Sequence, residues 1–176
     1  ASAWGSLQTV PTRYNTLMLQ NKDYFVIEGL GGAKKLRGRI VVNGSKNAVL
    51  PAMASALLFD GPLTLTNAPA TEDVRRMGEL MKRLKTKVSY HGKRTLTIDP
   101  RPTKKTILER ELSKRLRASV ILSGPLLARF GEITFPHPGG CVIGARPIDL
   151  FIEGFQKMGA TFSEKDNLYS FKVKGE

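Results

Sequence analysis

The sequence predicts a mixed α/β (α+β) fold built from a repeated unit of strand, helix, strand, helix and hairpin. Three observations lead there. From Tyr24 onward, short β-branched runs alternate with apolar residues at helical spacing. The segment DVRRMGELMKRLKTKVSY from Asp73 aligns with PIDLFIEGFQKMGATFSE from Pro147, helix on helix and strand on strand, an internal duplication at an offset of 74 (residue 73 to residue 147). The composition is that of an ordinary globular chain, 41% apolar and 24% charged, and 176 residues suffice for one domain with a real core but not for two full ones.

Residues 1–22 contain no acidic side chain and read as a poorly ordered extension, with a composition weakly like a transit peptide. Residues 23–176 read as a partial domain, with a first repeat over about 37–99 and a second over about 106–175. In the first, Tyr24 to Glu28 is a short strand, Gly31 and Gly32 turn the chain, and Arg37 to Asn43 (RGRIVVN) is a β-branched strand. Asn43 and Gly44 break it, Ser45 caps, and a helix runs from Asn47 to Leu58. Gly61 and Pro62 lead into strand Leu63 to Thr66. Thr71 then caps a helix to Leu84, whose Val74, Met77, Leu80, Met81 and Leu84 recur at helical spacing, so the methionines are core. Lys87 to Tyr90 and Thr95 to Ile98 form a hairpin across Gly92.

The second repeat opens with a mostly apolar helix from Arg115 to Phe130, expected to kink at Gly124 and Pro125. Glu132 to Phe135 is a strand, Pro147 starts a helix to Met158, and Thr161 to Lys165 pairs with Leu168 to Val173 around Asp166 and Asn167.

Charge is the unusual quantity. Lys and Arg number 28 against 15 acids, a net charge of +13. Between residues 75 and 117 there are fifteen Lys or Arg and four acids (Glu79, Asp99, Glu109, Glu111), so the excess is local. That window is either a solvated basic face or a footprint on a polyanion such as RNA or the ribosome. Tyr90 is its one aromatic, which disfavours a stacking platform for single strands. A single cysteine excludes an internal disulfide and fits a reducing, cytoplasmic compartment. A mitochondrion or plastid is the alternative if the first residues are a processed transit remnant. Two histidines and one cysteine without ligand spacing give no metal site. The longest apolar stretch, Ala48 to Phe59, is broken by Pro51 and Ser55, so no membrane partner is expected.

The chemistry concentrates in the loop PGGCVIGARPIDL, from Pro138 to Leu150. Cys141 follows Gly139 and Gly140, and Arg146 stands five positions on. A thiol beside fixed positive charge has a lowered pKa and becomes a nucleophile or acid; the alternative for Cys141 is the commoner state of a lone cysteine, an inert buried hydrophobe. Lys46 and Asn47 sit where a helix begins and offers backbone donors to an anion; a surface lysine beside a helix-start residue is the alternative.

Three segments together resemble one family. PGGC with IGARP and IDL, NGSKNAVLP at Asn43 to Pro51, and RLRASVILSGPLLARFG at Arg115 to Gly131 are similar to the signatures of UDP-N-acetylglucosamine 1-carboxyvinyltransferases, in the same order and at about the same spacing. The resemblance implies an enolpyruvyl-transferase-like domain with two of its three repeat units present, the front part of an enzyme more than twice this long. It implies transfer of the enolpyruvyl group of phosphoenolpyruvate to UDP-N-acetylglucosamine in peptidoglycan precursor synthesis, with neither metal nor organic cofactor. Cys141 matches the proton donor to the enol carbon, and Lys46, Arg117 and Arg146 match the cations that hold phosphoenolpyruvate. Asn47 matches a contact to the amino sugar, while Arg146, Pro147, Ile148, Asp149 and Leu150 match the segment at the uridine end. Phe151 departs from the histidine common after the DL pair. The family's carboxylate base comes from its second domain, so a complementary polypeptide supplying that domain is one expectation. A catalytically inert half-enzyme associated with RNA or the ribosome is the other, and a sister transferase acting on a shikimate phosphate is disfavoured by the cysteine loop.

Overall fold

The computed structural model describes residues 38–92, 94–137 and 147–173. The chain divides into two units, Ala1–Ile40 and Val41–Glu176. Of the first, residues 38–40 are described and form neither helix nor strand. The second unit contains every described element.

It opens with α1 (Lys46–Ser55), continued by the 3₁₀ turn Ala56–Leu58. This stretch is apolar nearly all round, and Val49, Leu50, Met53, Ala54, Ala56 and Leu57 are all buried. A helix without a polar face belongs inside the core. Arg129 closes its far end by donating from Nη1 to the Leu57 carbonyl at 2.8 Å. β1 (Leu63–Leu65) follows, then α2 (Glu72–Arg83). α2 buries Val74, Met77, Gly78, Leu80 and Met81 on one face. Its outer face carries Arg75 and Arg76 paired to Glu72 three and four residues away, contacts of the kind that support an exposed helix surface. The acids of its first turn and Lys82 and Arg83 of its last complement the helix dipole.

β2 (Lys87–His91) and β3 (Thr95–Asp99) form the first hairpin, and β3 also pairs with β1, so the antiparallel order is β1-β3-β2. Leu96, Ile98 and Val88 point inward from this sheet. α3 (Arg110–Arg115) is capped by Glu109, whose carboxylate accepts from the amides of Glu111 and Leu112 at 3.0 and 2.8 Å. A 3₁₀ turn (Arg117–Leu122), α4 (Ser123–Phe130) and β4 (Glu132–Pro136) come next. α5 (Asp149–Lys157) leads to β5 (Ala160–Lys165) and β6 (Leu168–Val173), in the order β4-β6-β5. Asp166 and Asn167, at φ 55° and 58°, make the two-residue turn between β5 and β6. The second sheet is aromatic inside: Phe171 lies 5.1 Å from Phe162, 5.2 Å from Phe155 and 6.0 Å from Phe135, ring centre to ring centre.

The duplication is visible as shared topology, because each sheet places its last strand in the centre. It reaches a backbone detail. α2 ends with the Lys85 amide on the Lys82 carbonyl and the Thr86 amide on the Met81 carbonyl, closed by Lys85 in the left-handed region at φ 74°. At the same offset of 74, α5 ends at Gly159, φ 93°. Glycine tolerates that conformation and lysine is strained by it, by roughly 1 kcal/mol.

Two expectations need correction. Residues 38–43 form no strand, although RGRIVVN has the composition of one; Ile40, Val41 and Val42 are 87%, 74% and 78% exposed. Strand propensity requires a ladder partner to become a strand, and no described strand pairs there. In the second half, Ile107 makes a single parallel bridge to Thr134. The helix expected over Arg115 to Phe130 is also broken, into the end of α3, a 3₁₀ turn and α4. Leu116 turns its side chain into the core with extended backbone (φ −134°, ψ 99°), which interrupts the helix before the residues that favour it. Expectations for residues 1–37, including Tyr24 to Glu28, lie outside the described residues. No described helix is long and apolar enough to cross a membrane.

Candidate active site

The best-defined part of the site is the start of α1. Gly44 presses onto the loop after β1: a Cβ there would sit 2.0 Å from the Asn67 carbonyl oxygen and 3.1 Å from its carbon. Only a residue without a side chain allows that approach. Asn67 adopts φ 54°, and the next amide, of Ala68, donates to the Arg94 carbonyl at 2.9 Å. The chain is thereby fixed just before Lys46 and Asn47. Ser45 occupies the cap position without a side-chain capping bond, and no acid stands in the first turn. The positive end of α1 is left open to an anion. Gly44→Ala is expected to destabilise the second unit by roughly 1–3 kcal/mol, because the new methyl meets backbone that cannot rotate away. Chemical denaturation checks it; a loss below 0.5 kcal/mol (roughly, the size of an ordinary surface change) would show that the two loops separate easily.

Lys46 does not stand alone. Its Nζ lies 2.7 Å from Asp73 Oδ2, in the first turn of α2, with both side chains partly exposed. α1 and α2 therefore begin at the same end, with the ammonium held between them. Sequence reading missed Asp73. An acid in the first turn of a helix is accounted for locally by the dipole, and nothing in the chain order signals a partner 27 residues earlier (Lys46 to Asp73).

Arg117 opens the 3₁₀ turn that packs beside α1 and α2. It is half-buried, whereas Lys114 and Arg115 are exposed, which separates it from the surface charges around it. Arg76 Nη1 donates to the Arg115 carbonyl at 2.7 Å, so the approach to Arg117 is anchored on the second turn of α2. Lys46 and Arg117 thus both depend on the first half of α2. Asn47 is exposed beside Lys46.

Pro147 to Leu150 are placed by the second copy, at the start of α5. Ile148 is buried and its carbonyl accepts from the amides of Phe151 and Ile152 at 2.9 and 3.1 Å, a structural role. Pro147, Asp149 and Leu150 are exposed, Leu150 by 83%. Burial, together with the charges of Glu164 and Asp149, raises the Tyr169 hydroxyl above its usual pKa. Phe151 is also exposed and packs at 6.5 Å on Phe155. Cys141 and Arg146, with the rest of their loop, lie outside the described residues. Among the described residues, no three His, Cys, Asp or Glu side chains cluster as metal ligands.

The α2 surface next to the site is strongly paired. Hydrogen bonds from Arg75, and then from Arg76, hold the Glu72 carboxyl at about 2, against an ordinary 4.5. A depressed carboxyl stabilises the fold above its unfolded pKa and loses that contribution as pH falls through the folded value. Melting temperature is therefore expected to fall between pH 5 and pH 2 (roughly spanning both values), with a smaller fall in Glu72→Gln. An equal fall would place the acid sensitivity elsewhere. The group is solvent-exposed, so the effect is modest.

Residues 30–176 match the family described as EPSP synthase (3-phosphoshikimate 1-carboxyvinyltransferase). The chain belongs to that family. Among solved structures, this EPSP synthase family chain is similar to the enolpyruvyl transferase NikO from Streptomyces tendae, with a TM-score of 0.66 and 20% identity over 79% of this chain and 30% of that one. It is also similar to EPSP synthase from Acinetobacter baumannii, with a TM-score of 0.55 and 16% identity over 79% of this chain and 33% of that one. At these identities the likeness is one of fold. The fold is enolpyruvyl-transferase-like, a mixed α/β arrangement with two small antiparallel sheets and interspersed helices. The chain spans about a third of the length of these two relatives.

Proposed function

We propose that this chain provides the phosphoenolpyruvate-holding part of an enolpyruvyl transferase whose acceptor is UDP-N-acetylglucosamine. The observation that supports it best is the open start of α1, with Lys46 fixed there by Asp73. An ammonium beside unused helix donors suits a phosphate or carboxylate, and the half-buried Arg117 adds a second cation on the same framework. Family membership supplies the class of reaction, and the loop containing Cys141 and Arg146 supplies the choice of acceptor.

In this reading Lys46, Arg117 and Arg146 hold the phosphate and carboxylate of phosphoenolpyruvate. The Cys141 thiol gives its proton to C3, turning methylene into methyl, as the acceptor 3-hydroxyl loses its proton to a base and its oxygen bonds to C2. The tetrahedral intermediate then loses a proton from C3 and breaks the C2–O bond to phosphate, restoring the double bond and releasing inorganic phosphate. The cations stabilise negative charge gathering on that leaving group. Asn47 contacts the amino sugar, and Pro147 to Leu150 stand at the uridine end. The base comes from a complementary part of the enzyme. Positioning contributes roughly 7–11 kcal/mol in such reactions, so this chain by itself is expected to be nearly inert.

The test is phosphate release from phosphoenolpyruvate by the full chain together with the polypeptides that accompany it in its source. Release that requires UDP-N-acetylglucosamine supports the assignment. Release that requires shikimate 3-phosphate would move the chain to the other acceptor, and release with neither would remove the proposed function.

A further inference from the structure

The fifteen cations between residues 75 and 117 are not equivalent once their partners are known. Arg75 and Arg76 are paired to acids on α2, Arg101 to Asp99 at 2.8 Å, and Lys114 to Glu111 at 3.9 Å. Lys82 lies over the Tyr90 ring, 5.5 Å from its centre, and Arg110 donates to the Asp166 carbonyl. Four of the rest, Arg83, Lys85, Lys104 and Lys105, are exposed and meet no carboxylate at ion-pairing distance among the described residues. Three of them belong to one place. Arg83, Lys104 and Lys105 line a single open groove of about 640 Å³ together with Thr106, Ile107, Leu108 and Glu109, whose carboxylate accepts two capping bonds and leaves the cations in excess.

The backbone under that groove is stapled. The buried hydroxyls of Thr86 and Thr103 meet at 2.8 Å, and the Lys104 amide donates to the Leu84 carbonyl at 3.1 Å. The end of α2 and the segment before α3 are thus locked together with their cations outward. Like charges on a rigid support repel one another, which costs stability in the free protein. Lys85 adds a further cost, since it occupies a left-handed position where the second copy has glycine. Helix-dipole complementation accounts for Lys82 and Arg83 but not for Lys104 and Lys105, which lie on another segment.

We infer that this groove binds the phosphate backbone of a double-stranded nucleic acid, a property beyond the transferase reading. A groove with an excess of Lys and Arg fits a line of phosphates, which such side chains contact without reading sequence. A flat lipid surface would not follow the groove, and the lack of neighbouring aromatics argues against unpaired strands.

The experiment measures binding of the full chain to a labelled duplex of about 20 base pairs, RNA and DNA separately, across salt concentration. The wild-type chain is expected to bind, with affinity falling steeply as salt rises. Arg83→Gln/Lys104→Gln/Lys105→Gln is expected to bind at least tenfold more weakly at about 100 mM salt, with a log–log slope shallower by about 3, since each lost phosphate contact removes about 0.9. A matched variant, Lys157→Gln/Lys165→Gln/Lys172→Gln, is expected to bind within about twofold of wild type; circular dichroism confirms that both are folded. RNA binding without DNA binding, or the reverse, identifies the source of the phosphates and supports the groove. Equal weakening by both variants would reduce the effect to net charge and overturn the inference. So would an unchanged slope in the groove variant, or binding to phosphatidylserine vesicles with none to either duplex. None of these readouts depends on catalysis.

Discussion

Phe171→Ala is expected to lower the stability of the second unit by roughly 3–5 kcal/mol and its melting temperature by on the order of 10 °C. Phe171 is fully buried on β6, the central strand of its sheet, opposite Ile133 on one side and Phe162 on the other. Its ring stacks on Phe135 and meets Phe155 of α5 edge-on. Truncation would therefore leave a cavity bounded by three rings on separate elements, which cannot all move inward together. Phe171→Leu keeps most of the volume and should cost less than half as much. Denaturant unfolding of both variants measures this, and a loss under about 1.5 kcal/mol for the alanine variant would mean that α5 settles onto the sheet without strain.

If the proposed function holds, Cys141→Ser is expected to reduce enolpyruvyl transfer, measured with the part that supplies the base, by about 10²–10⁴-fold, the usual contribution of a positioned proton donor. A serine hydroxyl matches the thiol in shape but is a far weaker acid, so protonation of C3 becomes difficult while the loop is little changed. Phosphoenolpyruvate binding, which this reading assigns to Lys46, Arg117 and Arg146, should stay within about threefold of wild type by calorimetry, about 0.6 kcal/mol. Lys46→Ala should do the reverse and weaken binding first. Full transfer activity in Cys141→Ser would end the assignment of the thiol as proton donor.

What could be read from the sequence was local. Met77 and Met81 were placed in the core by spacing on one helix, and both are fully buried. The Asp166–Asn167 turn was legible because those residue types accept positive φ. The alignment of residue 73 with residue 147 set helix on helix and strand on strand, and the structure adds that the residue ending each helix, Lys85 and Gly159, is left-handed. What escaped depends on distant partners. The Lys46–Asp73 pair needs α1 and α2 to begin side by side, and the break at Leu116 needs a core for that side chain to enter. The valine and isoleucine run at 40–42 has strand composition but pairs with no described strand. Charge counting found the basic window, yet only the folded chain shows that Arg83, Lys104 and Lys105 share one groove.

The strand order β1-β3-β2 and β4-β6-β5 has a consequence for synthesis. In each half, the two strands made first do not touch each other, and both wait for the third. As the chain emerges from the ribosome, neither sheet can close until its final strand has been added. The second sheet therefore stays open until Leu168–Val173 is complete, and loss of that one strand would dissolve every pairing of the sheet. Each half assembles in one late step, with its apolar face exposed until that step occurs.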